Sequence, residues 1–153
     1  MPGEILAIYT ARTGEQPVRQ DAVEVEANRG VVGDRYYDGS GTFSEKLQDN
    51  RKSEITFIAA EEVDAFNAAT GESLGYGEPR RNVVTRGVDL QSLIGREFAI
   101  GSARFLGMER CEPCAHLAST VNARVLPHLV HTGLRAAILA SGTLSAGQAI
   151  ELA

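Results

Sequence analysis

The two cysteines of the chain lie close together in the segment Cys111-Glu112-Pro113-Cys114. A deprotonated thiol is a soft ligand and a strong nucleophile, so this spacing lets both sulfurs address one centre or exchange a disulfide. Arg110 directly precedes the segment, and its charge favours the thiolate form. Pro113 removes a backbone donor and stiffens the turn that leads to Cys114. We therefore predict that this segment is the chemical centre of the protein.

Several kinds of chemistry fit two thiols at this spacing. A thioredoxin-like redox couple normally opens a helix early in a βαβ chain, whereas this pair comes late in a strand-rich chain. A zinc site needs four ligands, and His116, His128 and His131 could supplement the cysteines, although their spacing is irregular. A single reactive or metal-ligating thiol with a helper is the third possibility. Two buried apolar cysteines are the structural alternative, which the polar, proline-containing context disfavours.

Charged side chains form two further clusters. Asp34 and Arg35 follow a glycine, and this order suits either a structural ion pair or an anion clamp. Arg80, Arg81 and Asn82 lead into an apolar run, where they could present donors at the mouth of a barrel. An edge strand kept soluble by charge explains the second cluster equally well.

The elements that must position these residues are mostly strands. Alternating and continuous apolar runs predict about eight of them: Glu4–Thr10, Ala22–Ala27, Ile55–Ala59, Arg81–Thr85, Glu97–Ile100, Ala103–Leu106, Leu134–Ala140 and Gln148–Leu152. Helical patterns cover 61–70, a short turn at 89–93 and 122–131. The stretches 11–20 and 38–53 read as loops, and the longer one could cover a site. Too few helices remain for a doubly wound sheet. The fold class is therefore mostly β (α+β), a β-barrel with a few peripheral helices.

Composition limits the partners and the compartment. A chain of 153 residues suits one domain, 1–153. Its net charge of −5 argues against non-specific nucleic-acid binding. No apolar run reaches the roughly 18 residues of a membrane span, and the amino terminus lacks the pattern of a signal peptide. We expect a cytoplasmic protein with no nucleic-acid or membrane partner, in a compartment where two cysteines stay reduced.

Taken in order, the motifs resemble those of one family, the MOSC domain, named for the carboxyl-terminal domain of molybdenum-cofactor sulfurases. The resemblance runs from about residue 4 to the end of the chain and identifies a stand-alone MOSC protein. It rests on Gly-x-x-Gly-Asp-Arg at 30–35, Ile-Thr-Phe-Ile-Ala-Ala-Glu-Glu-Val at 55–63, Arg-Arg-Asn-Val-Val-Thr-Arg-Gly from 80, Phe-Ala-Ile-Gly at 98–101, Cys-Glu-Pro-Cys-Ala-His-Leu at 111–117 and Ala-Gly-Gln-Ala-Ile-Glu-Leu at 146–152.

The resemblance implies a compact barrel with a cysteine near a molybdenum cofactor. Cys114 matches the family thiol, which either carries sulfur as a persulfide or ligates molybdenum in enzymes that reduce N-hydroxylated compounds. Cys111 would then be an accessory thiol. The match also implies contacts with the anionic pterin cofactor, from Arg80, Arg81, Asn82, Asp34, Arg35 and His116.

The sequence departs from the family pattern at Tyr36, where many relatives have a histidine after Gly-Asp-Arg. No aminotransferase-like sulfurase segment is present, so we expect no pyridoxal phosphate chemistry and a separate sulfur donor. No ferredoxin-like cysteine cluster is present either, so a reductase would need a separate electron-donor protein. The zinc-binding, non-catalytic module remains the alternative from another class.

Overall fold

A computed structural model describes residues 3–11, 17–34, 54–71, 75, 81–110 and 133–152. These residues form eleven strands, one α-helix and a 3₁₀ turn. The helix α1 is Ala60–Thr70, and the 3₁₀ turn is Leu90–Leu93. The strands are β1 Gly3–Thr10, β2 Val18–Gln20, β3 Ala22–Glu26, β4 Gly30–Val31, β5 Ile55–Ala59, β6 Val83–Arg86, β7 Glu97–Ile100, β8 Ala103–Arg110, β9 Gly133–Ala140, β10 Gly142–Ser145 and β11 Ala149–Leu152.

Seven of the strands close into a barrel in the order β11-β7-β8-β9-β5-β6-β1, because β1 also pairs with β11. Strand β2 pairs with the last three residues of β1, and β10-β3-β4 form a separate small sheet. Strands β5 and β6 are parallel, and α1 makes the crossover between them. The other strand pairings in the described part of the chain are antiparallel.

Alternating side chains of the barrel strands fill its interior. Three buried rings pack at the centre: Phe98 stacks on Phe105 at 5.3 Å between centroids, and Phe57 meets both edge-on at 5.5 and 5.8 Å. On β5 the core contains Ile55, Phe57 and Ala59. Because side chains alternate along a strand, the residue at position 56 points to the outer wall of the barrel.

The structure confirms the expected barrel and most of its elements. The helix after β5, strand β7 and the central strand β9 form close to their predicted bounds, whereas β8, predicted to end at Leu106, extends to Arg110. The prediction of a continuous loop over 11–20 is wrong, since Val18–Gln20 pairs with β1. The short strands β4 and β10 were not predicted. The predicted loop 38–53 and helix 122–131 lie outside the described residues.

Candidate functional site

Four polar residues form a line across the outer wall of the barrel, three on neighbouring strands and the fourth just before the next strand. Glu109 of β8 is the register partner of Arg135 of β9, and Arg135 is the partner of Thr56 of β5. Thr56 in turn hydrogen-bonds Asn82, the residue just before β6. We call these four residues the polar row. At about 4.8 Å per strand spacing, the row spans roughly 14 Å.

Local sequence explains why these side chains face outwards. On β9, Leu134, Ala136 and Ile138 belong to the core, so Arg135 between them faces the outer wall. On β8, the register shifts between Gly107 and Glu109, which indicates a bulge. A bulge changes which partner the next residue opposes. Here it places Glu109 opposite Arg135 on the outer wall.

Asn82 ties three strands of the barrel together. It is 5% exposed, and its Oδ1 accepts from the backbone N–H and the hydroxyl of Thr56 at 3.1 and 3.2 Å. Its own N–H donates to Thr56 Oγ1 at 3.0 Å, and its Nδ2 donates to the carbonyl of Tyr9 at 3.3 Å. The side-chain oxygen of this predicted cofactor ligand is therefore used in holding β5 and β6 in register.

Arg135 was not among the residues that the sequence singled out. Its Nε lies 3.8 Å from Glu109 Oε1, and the two side chains are 13% and 41% exposed. A charged residue inside the otherwise apolar run 134–140 was the signal that could have identified it, because an unpaired charge is rarely buried without a role. Arg135 is the third residue after the segment 111–132.

Asp34 lies at the end of the barrel where β1 ends. Its side chain is 1% exposed, and its Oδ1 accepts from the backbone N–H of Ala11 at 3.0 Å. Ala11 lies two residues after Tyr9, whose carbonyl accepts a hydrogen bond from Asn82. A cavity of about 350 Å³ opens beside it, lined by residues that include Thr10, Gln20 and Gly33. Asp34 and Asn82 therefore lie at the same end of the barrel.

The remaining predicted site residues divide into two groups. Arg81, half-buried, is described and adjoins Asn82. The others lie outside the described residues: Cys111, Cys114, His116, Arg35 and Arg80. Within the described ranges no group of three or more His, Cys, Asp or Glu side chains could hold a metal ion. The same ranges contain no helix with the length and apolar character needed to span a membrane.

Strands β8 and β9 precede and follow the segment 111–132 in the chain, and each contributes one residue to the polar row. Arg110, the last residue of β8, is level with Leu134 on β9, Phe57 on β5 and Val83 on β6. Strand β8 runs towards the end of the barrel where β5 ends, whereas Arg81 and Asp34 lie at the opposite end.

A second cavity, of about 300 Å³, lies beyond the end of β5. Its lining includes Glu61, Gly87, Asp89 and Gln91. Gln91 Nε2 donates to the carbonyl of Gly133, the first described residue after the cysteine segment, at 3.2 Å. Its Oε1 is buried and has no hydrogen-bond partner among the described residues. The Glu61 carboxylate already has a hydrogen-bond partner, since its Oε2 accepts from the backbone N–H of Gly87 at 2.7 Å.

The barrel, the motif order and the family comparison agree on the class of protein. Residues 38–151 match the family model of the MOSC domain, and the chain belongs to this family. The matched residues include both cysteines and the Arg80–Asn82 cluster, and they begin after Asp34 and Arg35.

Solved structures of low sequence identity share this fold. The YuaD protein from Bacillus subtilis superposes with a TM-score of 0.81 at 19% identity, covering 99% of this chain and 95% of that one. YiiM from Geobacillus stearothermophilus gives 0.70 at 15% identity, covering 99% and 75%. YiiM from Escherichia coli gives 0.66 at 17% identity, covering 99% and 68%. A search of curated proteins returned no match.

Proposed function

We propose that this protein binds the molybdenum cofactor and uses Cys114 either as a sulfur carrier or as a molybdenum ligand. The observation that carries the proposal is the polar row, which places Asn82 on the same wall of the barrel as the two strands that bracket the cysteine segment. Membership of the MOSC family supports the choice of cofactor. The compartment that fits this role is the cytoplasm, where thiols stay reduced.

The donor set of the chain fits such a group. The pterin cofactor is an anion, and arginine side chains are the preferred partners of phosphate groups. Arg135 belongs to the row, and Arg81 directly precedes Asn82 in the chain. Thiols suit the soft metal, and the sequence supplies two of them, Cys111 and Cys114. When bound, the cofactor would supply the redox chemistry of molybdenum.

The protein's own part in sulfur transfer is a thiol exchange. The Cys114 thiolate attacks the outer sulfur of a donor persulfide, the donor's S–S bond breaks, and the donor leaves as a thiolate. Cys114 then holds the sulfur as a persulfide, with no net change in oxidation state over the two partners. Arg110, directly before the segment, favours the thiolate that this step needs. A sulfur-donor protein is the partner in this case, and an electron-donor protein is the partner if Cys114 ligates molybdenum.

The first experiment measures molybdenum and pterin in protein purified from a host that makes the cofactor. Wild type, Cys114→Ser and Cys111→Ser are compared under reducing conditions. We expect equimolar pterin in wild type, with molybdenum reduced in Cys114→Ser and largely kept in Cys111→Ser. Equal molybdenum in all three proteins would contradict the ligand role, and the absence of pterin from wild type would contradict cofactor binding itself. Stoichiometric zinc that is lost with either cysteine would favour the zinc-binding module.

A second experiment separates the carrier from the ligand. Incubation with a persulfide donor, followed by mass spectrometry, should add the mass of one sulfur, about 32 Da, to wild type and to Cys111→Ser. Cys114→Ser should show no adduct. A cofactor-loaded protein that forms no adduct but reduces an N-hydroxylated compound with a chemical electron donor would indicate the reductase.

A further inference from the structure

We propose that the cavity beside Asp34 binds a small uncharged molecule through an amide group. The cavity lies where β2, β3 and the turn after β4 meet the end of β1. It has a volume of about 350 Å³, and an apolar cavity of about 150 Å³ already holds a benzene molecule. Small ligands typically bind where apolar walls surround a few polar groups. The amide site stands apart from the cofactor proposal, because it follows from the residues that line the cavity.

Two valine side chains form exposed apolar walls of the cavity. Val18 of β2 is 57% exposed, and Val32, just after β4, is 39% exposed. The backbone N–H of Val32 donates to the carbonyl of Glu24 at 2.9 Å, which fixes this side of the cavity to β3. The buried residues Ala11 and Val23 complete the apolar part of the lining. A flat apolar ring in this position would remove both exposed valines from water, which favours binding.

The polar part of the cavity is a threonine–glutamine pair. Thr10 is 7% exposed, and its Oγ1 accepts from Gln20 Nε2 at 3.1 Å. A hydroxyl group can accept and donate at the same time. Neither the Thr10 hydroxyl proton nor Gln20 Oε1 has a further partner in the part of the chain that the structure describes. One donor and one acceptor therefore lie next to each other beside the apolar walls.

An amide group satisfies this pair, because it has an N–H donor and a C=O acceptor on neighbouring atoms. The ligand carbonyl would accept from the Thr10 hydroxyl, and the ligand N–H would donate to Gln20 Oε1. If the Gln20 amide is turned over, its oxygen accepts from Thr10, and Gln20 Nε2 and Thr10 Oγ1 become the donor and the acceptor. Both orientations leave one donor and one acceptor, so both favour the same class of ligand.

The charge of the lining disfavours an anion. Glu24 is the charged side chain among the described lining residues, which include no lysine or arginine. A carboxylate beside the cavity repels a negatively charged group, so the phosphate of the cofactor is a poor occupant. An uncharged amide avoids both this repulsion and the cost of moving a charge out of water.

The test titrates the full chain without cofactor with benzamide and with benzoate, which have nearly the same shape but differ in charge. The NMR signals of the Gly33 backbone N–H and of the valine methyl groups report binding in the cavity. Benzamide should bind one equivalent with a Kd of about 1 mM or lower. Benzoate should bind at least about fivefold more weakly. N,N-dimethylbenzamide has no N–H and should bind about threefold to tenfold more weakly, because one hydrogen bond is lost.

Variants of the lining assign the binding to the cavity. Thr10→Val lacks the hydroxyl and should weaken benzamide binding about threefold to tenfold, whereas Thr10→Ser should keep it. Val32→Ala should weaken binding about threefold, because part of an apolar wall is removed. Its matched control is Ile94→Ala, since Ile94 is also 39% exposed but does not line the cavity. Glu24→Gln should bring the affinity for benzoate close to that for benzamide.

The pterin ring of the cofactor also contains an amide, and this source of the ligand rests on the proposed function. If the pterin ring occupies the cavity, cofactor-loaded protein should no longer bind benzamide. If a separate molecule is the ligand, loaded and cofactor-free protein should bind benzamide equally. Either result, with weaker binding by Thr10→Val, supports the site.

No saturable binding of benzamide by wild type, or equal affinity for benzamide and benzoate, would overturn the inference. Equal benzamide binding by wild type, Thr10→Val and Val32→Ala would overturn it as well. The unfolding midpoint of each variant is measured without ligand, so that loss of fold is recognised. If wild type binds benzamide in the cavity but never carries pterin, the cofactor proposal fails while the amide site stands.

Discussion

Replacing Asn82 with alanine should destabilise the barrel strongly, because it removes three side-chain hydrogen bonds from a buried position. The change leaves the Thr56 backbone N–H and the Tyr9 carbonyl without the partners they have in the structure. An orphaned buried group costs about 1–3 kcal/mol. The Thr56 hydroxyl can rotate and relieve part of the loss, so we expect the free energy of unfolding to fall by about 3 kcal/mol.

Equilibrium unfolding in urea measures this change, with the slope of the transition recorded for each protein. The free energy of unfolding of such a domain is about 5–15 kcal/mol. Asn82→Ala should therefore still fold, but its unfolding midpoint should lie at a clearly lower urea concentration. The control is Thr143→Ala on the exposed face of β10, which should shift the free energy by no more than about 0.5 kcal/mol. Thr56→Val should be coupled to Asn82→Ala by about 1 kcal/mol in a double-mutant cycle. A loss below 1 kcal/mol at unchanged slope would refute the assignment.

Two further predictions concern the barrel itself. Gly107→Ala should lower the free energy of unfolding by more than about 2 kcal/mol, because the added Cβ would overlap the backbone oxygen of Leu93. Gly75→Ala, with no atom within 4 Å of the added Cβ, is the control and should change little. Phe57→Ala should cost about 3–5 kcal/mol, since it leaves a cavity beside Phe98. Urea unfolding tests both, and equal stability of the two glycine variants would contradict the first.

Local patterns were sufficient to predict the strands that have many apolar residues. Strand β9 was visible as a continuous apolar run, and the β7–β8 hairpin as two runs around Gly101, whose φ of 58° suits a tight turn. Strand β2 has three residues and one apolar side chain, and β4 has two residues, too few for any period to show. These two strands form by pairing with longer strands, β2 with β1 and β4 with β3.

The site was harder to predict, because its geometry depends on contacts between distant parts of the chain. Asn82 was singled out by its motif, but its partner Thr56 lies 26 residues earlier, and no local pattern reports that pairing. The shift in β8 that sets Glu109 opposite Arg135 has no reliable local signal either. The positions of Cys111 and Cys114 relative to the row stay a prediction.

Asn82 and Arg135 both lie on the outer wall of the barrel, but replacing them should have different effects in experiments on function. Asn82 is fully involved in holding the barrel together, so a variant there should lose stability, and with it any bound ligand. Arg135 makes no hydrogen bond with its side chain in the described part of the chain, so its replacement should change ligand affinity much more than the free energy of unfolding. Loss of cofactor from an Asn82 variant therefore says little about direct contact. The same loss from a stably folded Arg135→Gln protein would indicate a residue that binds the ligand itself.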